Sequence, residues 1–275
     1  MTEKLVILDF SGTLCLAAPR FAAPSALREE LEKSGLTALG VTPDVFWSEL
    51  VNPTWTAGST TRTGYRRVLT DRLADLTPQA SRDDVARSIS RFSDAYFQAN
   101  SVDPLWSPFL ETCIRQAGLA AVIASDHYAE ATEAIVGSLA GIGIPARSLA
   151  EAPSSSPDEA VLVATSADLG AHKSSCEFWD SIRRSLNCRE LRRVLLVDDF
   201  GINEPEGDAY GASEKVLQRK AETTARLEEV FRAPVSCFFF SLRPAAGASS
   251  ADFRENRVIT RIAEAEEALK QFLAA

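Results

Sequence analysis

The sequence predicts an α/β protein: a parallel sheet covered on both faces by helices, with a helical segment inserted after the first strand. Three observations predict it. Four short apolar runs, Leu5–Leu8, Leu119–Ala124, Ala160–Ala164 and Val194–Val197, lack the polar alternation of a half-exposed strand, as strands buried on both faces do. Helical patterns separate the later runs, the alternation that builds right-handed crossovers. Between the first two runs lies a long stretch with helical periodicity and no strand signal.

Taken in order, the first strand, Leu5–Leu8, delivers Asp9 to its end, and Gly12 then breaks the apolar pattern. From about Ala17 to Asn100 the amphipathic stretches Leu27–Leu31, Val45–Leu50, Tyr65–Leu76 and Val85–Phe97 are expected helices, punctuated by Pro43, Pro53, Pro78 and Pro104. Pro104 and Pro108 mark the return to the sheet. The expected division is therefore a core of residues 1–16 and 105–275 and a helical insert of residues 17–104. Helices are expected at Leu105–Ala117, Ala129–Leu139, Cys176–Leu186 and Glu214–Phe231. The serine-rich Pro153–Pro157 reads as a surface loop. A fifth strand, Val235–Phe240, follows the long charged helix, and the amphipathic Ile259–Phe272 packs on the core or on a second copy of the chain as a homodimer.

Composition bounds the function. With 275 residues, 45% of them hydrophobic, the chain can bury a substantial core. A formal net charge of -9, from 38 acids against 29 bases, argues against nucleic-acid backbone binding but leaves room for a small anionic substrate at a locally basic or metal-bearing site. The five cysteines, Cys15, Cys113, Cys176, Cys188 and Cys237, show neither zinc-ligand spacing nor the density of a disulfide scaffold, so reduced thiols are expected. No stretch reaches membrane-spanning length and no leader pattern opens the chain; the reading is a cytoplasmic protein with no membrane partner.

In open parallel sheets the chemistry gathers beyond the carboxyl ends of the strands. Those ends carry Asp9, then Ser125-Asp126-His127, then Lys173, then Asp198-Asp199. Carboxylate oxygens suit Mg²⁺, and a lysine and a hydroxyl suit phosphoryl oxygens. Each residue alone has a plainer role: Asp9 as a turn former, Ser125 as a helix cap, Lys173 as a solvated charge. The adjacent acids at Asp198-Asp199, directly after Leu195-Leu196-Val197, are harder to explain without a cation, since buried like charges repel.

At these residues the sequence resembles the haloacid dehalogenase-like (HAD) superfamily. DFSGT at Asp9 to Thr13, VIAS ending at Ser125, SADLGAHKSSCEFW around Lys173 and VLLVDDFGINE with Asp198 and Asp199 follow the order and spacing of its four motifs. The resemblance implies a Rossmann-like core, a mobile helical cap, Mg²⁺ as cofactor, a small phosphorylated molecule as substrate and an aspartyl-enzyme intermediate. It implies Asp9 as nucleophile and metal ligand, Ser125 and Lys173 as groups on the transferring phosphoryl, Gly12, Thr13 and Asp126 as further substrate contacts, and Asp198 and Asp199 on the metal.

Ser11 departs from that pattern. Phosphatases of the superfamily usually carry a second aspartate there, which protonates the leaving alcohol and later activates water, a contribution of about 10² to 10⁴ in rate. Serine's hydroxyl does neither near neutral pH, although its backbone carbonyl still suits the metal. The alternatives are a substrate with a good leaving group, another residue in place of the acid, a binding or regulatory protein without turnover, and a phosphonate-cleaving or dehalogenase-type enzyme. His127 and His172, the only histidines, flank site residues and are candidates for proton transfer. Lys33 raises imine-forming phosphonate chemistry, though Glu29, Glu30 and Glu32 make it read as a solvated helix face. In the cap, Thr54 to Arg67 combines Trp55, Arg62, Tyr65, Arg66 and Arg67. It reads equally as a specificity loop, with Arg62 and Arg66 binding an anionic substrate group, and as a turn before a basic helix. After Asp199 an insertion places Glu204 or Asp208 where a further acid of the fourth motif is expected.

Overall fold

A computed structural model describes residues 2–151, 159–186, 191–204, 213–243 and 253–275. Six parallel strands form one sheet: β1 (Lys4–Leu8), β2 (Leu119–Ser125), β3 (Ala146–Ser148), β4 (Val161–Thr165), β5 (Arg193–Asp198) and β6 (Val235–Phe239), in the spatial order β3-β4-β2-β1-β5-β6. The chain passes from β1 to β2, on to the edge at β3 and back to β4 between them, then crosses to β5 and β6 on the other side of β1. That reversal opens the crevice beside the carboxyl end of β1. Register brings Leu8 opposite both Ile123 and Val197, so Asp9, Ser125 and Asp198 emerge at one edge.

The strands read as continuous apolar runs because both faces are covered. Val6, Leu8, Ile123 and Val197 pack one way, with α7 (Ser107–Arg115), α8 (Glu130–Gly141) and α12 (Phe253–Ala274); Leu5, Ile7, Val122 and Leu196 pack the other way, with α10 (Cys176–Ser185) and α11 (Ser213–Phe231). The amphipathic end of the chain therefore packs on the core. The edge strand β3 escapes sequence reading because three residues, one of them Arg147, carry no periodicity. The expected loop at Pro153–Pro157 and Cys188 lie outside the described residues. Cys15, Cys113, Cys176 and Cys237 are free thiols.

Between β1 and β2 stand α1 (Ala17–Phe21), α2 (Pro24–Ser34), α3 (Pro43–Val45), α4 (Asn52–Ser59), α5 (Tyr65–Leu76) and α6 (Arg82–Ala99). They bury a core of their own around Leu27, Leu31, Phe46, Leu69, Ile89 and Phe92. Pro53 does not interrupt this segment as its type suggests: α3 runs through a π-helical stretch, Phe46–Val51, directly into α4. Proline lacks an N–H, which leaves the carbonyl four residues earlier, on Glu49, without its helical donor. Arg72 Nε supplies one at 2.8 Å. Much of the expected Thr54–Arg67 loop is consequently helix, with a short turn before α5.

The two linkers between insert and core are hydrogen-bonded to each other. Asp103 N donates to the Leu14 carbonyl at 2.9 Å, and Trp106 Nε1 donates to the Thr13 carbonyl at 3.1 Å. On the far side of the insert, Glu130 at the start of α8 accepts from Tyr65 N and Arg66 N at 2.7 and 3.2 Å, capping α5 from the core. Gly64, at φ 88°, is required there, since a Cβ would lie 2.8 Å from Glu130 Oε1. Among the described residues no helix is long and apolar enough to cross a membrane.

Candidate active site

The carboxyl edge of the sheet is lined with charge that little water reaches. Asp9, Asp198 and Asp199 are 9%, 3% and 2% exposed. Lys173 Nζ reaches in from the loop after β4, 2.7 Å from Asp9 Oδ1 and 2.9 Å from Asp198 Oδ2. The lysine's own N–H donates to Asp126 Oδ1 at 2.8 Å, fixing its loop to the end of β2. Two carboxylates thus contact one ammonium, and Asp126 and Asp199 lie close by. The imbalance moves the protons: burial, helped by the charge of Asp198 and opposed by Lys173, pushes Asp9 up to about 7. Burial also raises Asp199, with Asp9 and Asp198 adding to it, and raises Asp126 against the pull of Lys173. For Lys173 burial acts downward, but Asp198, Asp9 and Asp126 outweigh it and hold the ammonium well above the ordinary lysine value. It stays protonated.

The turn after β5 is built to hold Asp198 and Asp199 still. Phe200 adopts a left-handed φ of 52°. This turn lets Phe200 N donate to Asp198 Oδ1 at 2.6 Å, while Gly201 N and Asn203 N donate to the two oxygens of Asp199 at 3.1 and 3.0 Å. Thr13 Oγ1 accepts from Asp199 N at 3.1 Å, tying the loop after β1 to the turn after β5. Gly12 sits at φ 77° with its Cα so close to Asp199 that a Cβ would lie 2.5 Å from Oδ2. Any side chain there displaces the carboxylate. Asn203 closes the frame: its Nδ2 donates to the carbonyls of Gly12 and Phe240 at 2.7 and 3.0 Å, and its Oδ1 accepts from Leu242 N at 2.8 Å. Sequence reading missed Asn203. Its one visible signal was an amide within the GINE stretch directly after the acidic pair.

One oxygen from each of Asp9, Asp198 and Asp199 lies within 4.8 Å of the others, an arrangement that could hold a metal ion. An all-oxygen donor set with excess negative charge fits a hard divalent cation such as Mg²⁺. Above these acids lies a small cavity of about 140 Å³, lined by Asp9, Ser11, Ser125, Asp126, Lys173, Asp198 and Asp199 at its floor. With Glu204, which also lines it, the cavity brings eight of the sequence-derived candidates together. Gly12 and Thr13 are not among the lining residues; Gly12 lies against the Asp199 carboxylate and Thr13 accepts from Asp199 N. Neither Arg62 nor Arg66 lines the cavity: Arg62 Nε lies 3.6 Å from Asp168 Oδ1, and Arg66 pairs with Asp94 on the surface of the insert.

The histidines also stand apart from the cavity. His127 is buried with Nε2 2.9 Å from Tyr96 Oη and Nδ1 accepting from Tyr128 N, and burial lowers it to about 4. It is neutral near pH 7 and occupied. His172 Nε2 lies 2.7 Å from Ser59 Oγ, and its ring stacks on Trp55 at 6.1 Å between centroids. Both join insert to core. Lys33 lies on the solvent face of α2, 2.8 Å from both Glu29 and Glu30. Glu204 lines the cavity; Asp208 lies outside the described residues.

No protein-family model and no curated protein matches the chain. Among solved structures it is similar to the 2-haloacid dehalogenase from Pseudomonas syringae pv. Tomato DC3000, at 19% identity over 92% of this chain and 91% of that one, with a TM-score of 0.50. At that identity the likeness speaks for architecture. The chain has the haloacid dehalogenase-like fold, with its acidic cluster at the carboxyl edge of the parallel sheet.

Proposed function

We propose that the chain is a Mg²⁺-dependent phosphohydrolase that transfers a phosphoryl group to Asp9 and acts on a small phosphorylated molecule with a good leaving group. The observation that carries this reading is the buried cluster of Asp9, Asp198 and Asp199 around a single ammonium, Lys173. Three carboxylates so placed are costly unless a cation or protons compensate them. Asp9, Asp198, Asp199 and the Ser11 carbonyl would hold Mg²⁺, which would supply positive charge against the phosphoryl oxygens.

The chain's own residues do the rest. Lys173 keeps one oxygen of Asp9 oriented and draws phosphoryl oxygens toward the carboxylate, so two anions meet without prohibitive repulsion. Ser125, at the end of β2, donates to the same group. Asp9 forms the new O–P bond as the bond from phosphorus to the leaving oxygen breaks. Water then attacks phosphorus as the bond from phosphorus to Asp9 breaks; Asp9 leaves as its carboxylate, and the water's protons stay with the phosphate released. Ser11 supports neither protonation of an alcohol nor deprotonation of that water, and neither histidine lines the cavity. A leaving group that departs as an anion, as from an anhydride or acyl phosphate, fits this defect. A panel of phosphate esters, anhydrides and acyl phosphates tests it: Mg²⁺-dependent phosphate release is expected from the latter two, and Ser11→Asp should raise ester hydrolysis while preserving Mg²⁺ binding. No release from any member sinks the reading.

A dehalogenase reading also has support. The similar solved structure is of a 2-haloacid dehalogenase, Lys173 contacts Asp9 directly, and a departing halide needs no acid at Ser11. Asp9 would then attack the halogen-bearing carbon. Halide release from 2-haloacids, undiminished by a chelator, distinguishes it. If neither assay shows turnover, a cap-and-core protein that only binds its ligand is the remaining reading.

A further inference from the structure

No arginine of the insert lines the cavity above the acidic floor. Its remaining wall is Arg219, Glu222, Thr223 and Arg226 of α11, with Phe200, Gly201 and Glu204 from the turn after β5 and Ser174 beside Lys173. The spacing of the four α11 residues, i, i+3, i+4 and i+7, puts them on one helical face. The two arginines differ in what holds them. Arg219 Nε and Nη2 both donate to the Phe200 carbonyl, at 3.1 and 2.7 Å, so this guanidinium buttresses the turn that carries Asp198 and Asp199. Arg226 Nη1 faces Glu222 Oε2 at 3.6 Å, beyond hydrogen-bond length, and its side chain is 28% exposed. Glu222 in turn accepts from Gln218 Nε2 at 2.8 Å. A substrate anion can therefore take Arg226 while Glu222 keeps a donor.

We propose that Arg226 on α11 binds a second anionic group of the substrate, making this helix, rather than the insert, the surface that selects it. The inference rests on the phosphohydrolase reading and names its substrate class: a small molecule with a phosphoryl group at one end and a carboxylate or second phosphate at the other. A guanidinium presents paired donors that match either group.

Three unreactive esters of equal chain length separate the possibilities: propyl phosphate, 3-phosphopropionate and propane-1,3-diyl bisphosphate. Their affinities for the wild-type chain in Mg²⁺ are measured by calorimetry, which needs no turnover. At least one of the two doubly anionic ligands should bind about tenfold or more tighter than propyl phosphate, as a charge-assisted hydrogen bond allows; which one does assigns the second group. Arg226→Gln should bring that preference to within about twofold while leaving the affinity for propyl phosphate unchanged, and the conservative Arg226→Lys should restore part of it. Melting temperatures within experimental error of wild type for one of the two variants keep the comparison valid. Equal affinities in the wild type, or a preference that survives Arg226→Gln or follows Arg62→Gln or Arg66→Gln, overturns the inference and leaves the phosphohydrolase reading standing. Failure of all three ligands to bind overturns that reading and the inference with it.

Discussion

The acidic floor and the α4–α5 region of the insert are both densely charged, and they differ in how the charge is kept. At the floor, Asp9, Asp126, Asp198 and Asp199 are buried around one lysine, and every carboxylate is held by backbone amides or by Lys173. In the insert, Arg62, Arg66, Arg67 and Arg72 each lie near an acid and stay in solvent, with Arg62 and Arg67 66% and 77% exposed. Exposed pairs of this kind are worth roughly 0 to 1 kcal/mol. Buried unbalanced charge costs several times that and persists only where structure over-determines it. The comparison teaches that balance and burial, not the number of charged residues, separate a site from a solvated face.

The largest expected effect breaks the floor. Asp9→Asn removes the nucleophile and should lower turnover by about 10⁴-fold or more, measured as phosphate release on the best substrate of the panel. Unchanged turnover would move the chemistry elsewhere. Next in size is the frame. Gly12→Ala forces a Cβ against Asp199 at a left-handed position, with a strain of roughly 1–2 kcal/mol. It should weaken Mg²⁺ binding by about tenfold or more in calorimetry, since the displaced carboxylate is one of the three metal candidates.

The pH dependence sharpens the comparison further. In the metal-free folded chain Asp9 holds its proton up to about 7, against an ordinary value of 3.8. Folding therefore takes up a proton between those values. Stability of the metal-free chain should fall as pH rises from about 4 to 7, with Asp9 contributing roughly 1.4 kcal/mol per unit at most and the raised Asp126 and Asp199 adding in the same direction. Mg²⁺ needs the ionised carboxylates, so the stabilisation it gives should grow over the same range. Thermal melts with chelator and with Mg²⁺ across pH 4 to 8 check both slopes. The smallest effect belongs to the insert: Arg66→Gln should change kcat/KM by less than about twofold.

Much of the architecture was legible because four strands are apolar runs buried on both faces, the half-exposed edge strand β6 is still an apolar run, and the core helices keep their period. The short β3 carried no such signal, and Pro53 looked like a break because the donor that rescues Glu49, Arg72, lies in another helix. At the site, Asp9, Ser125, Asp198 and Asp199 were readable since each stands at or just beyond a strand end, and Lys173 because it lies in the loop beyond the short helix Ser166–Leu169 that follows β4. Asn203 and the α11 face were not. Asn203 acts through contacts to Gly12, Phe240 and Leu242 that are remote in sequence, and Arg226 resembles any charged residue of an amphipathic helix until the sheet turns it toward the cavity.

The central claim is that Asp9 receives a phosphoryl group in a site completed by Mg²⁺. Fluorine NMR with beryllium fluoride tests it most directly, because the trifluoride mimics a phosphoryl group on a carboxylate. The account predicts bound fluorine signals from the wild-type chain with Mg²⁺, lost with chelator and absent in Asp9→Asn. An adduct that forms equally well in Asp9→Asn, or none in the wild type at saturating Mg²⁺, would contradict it.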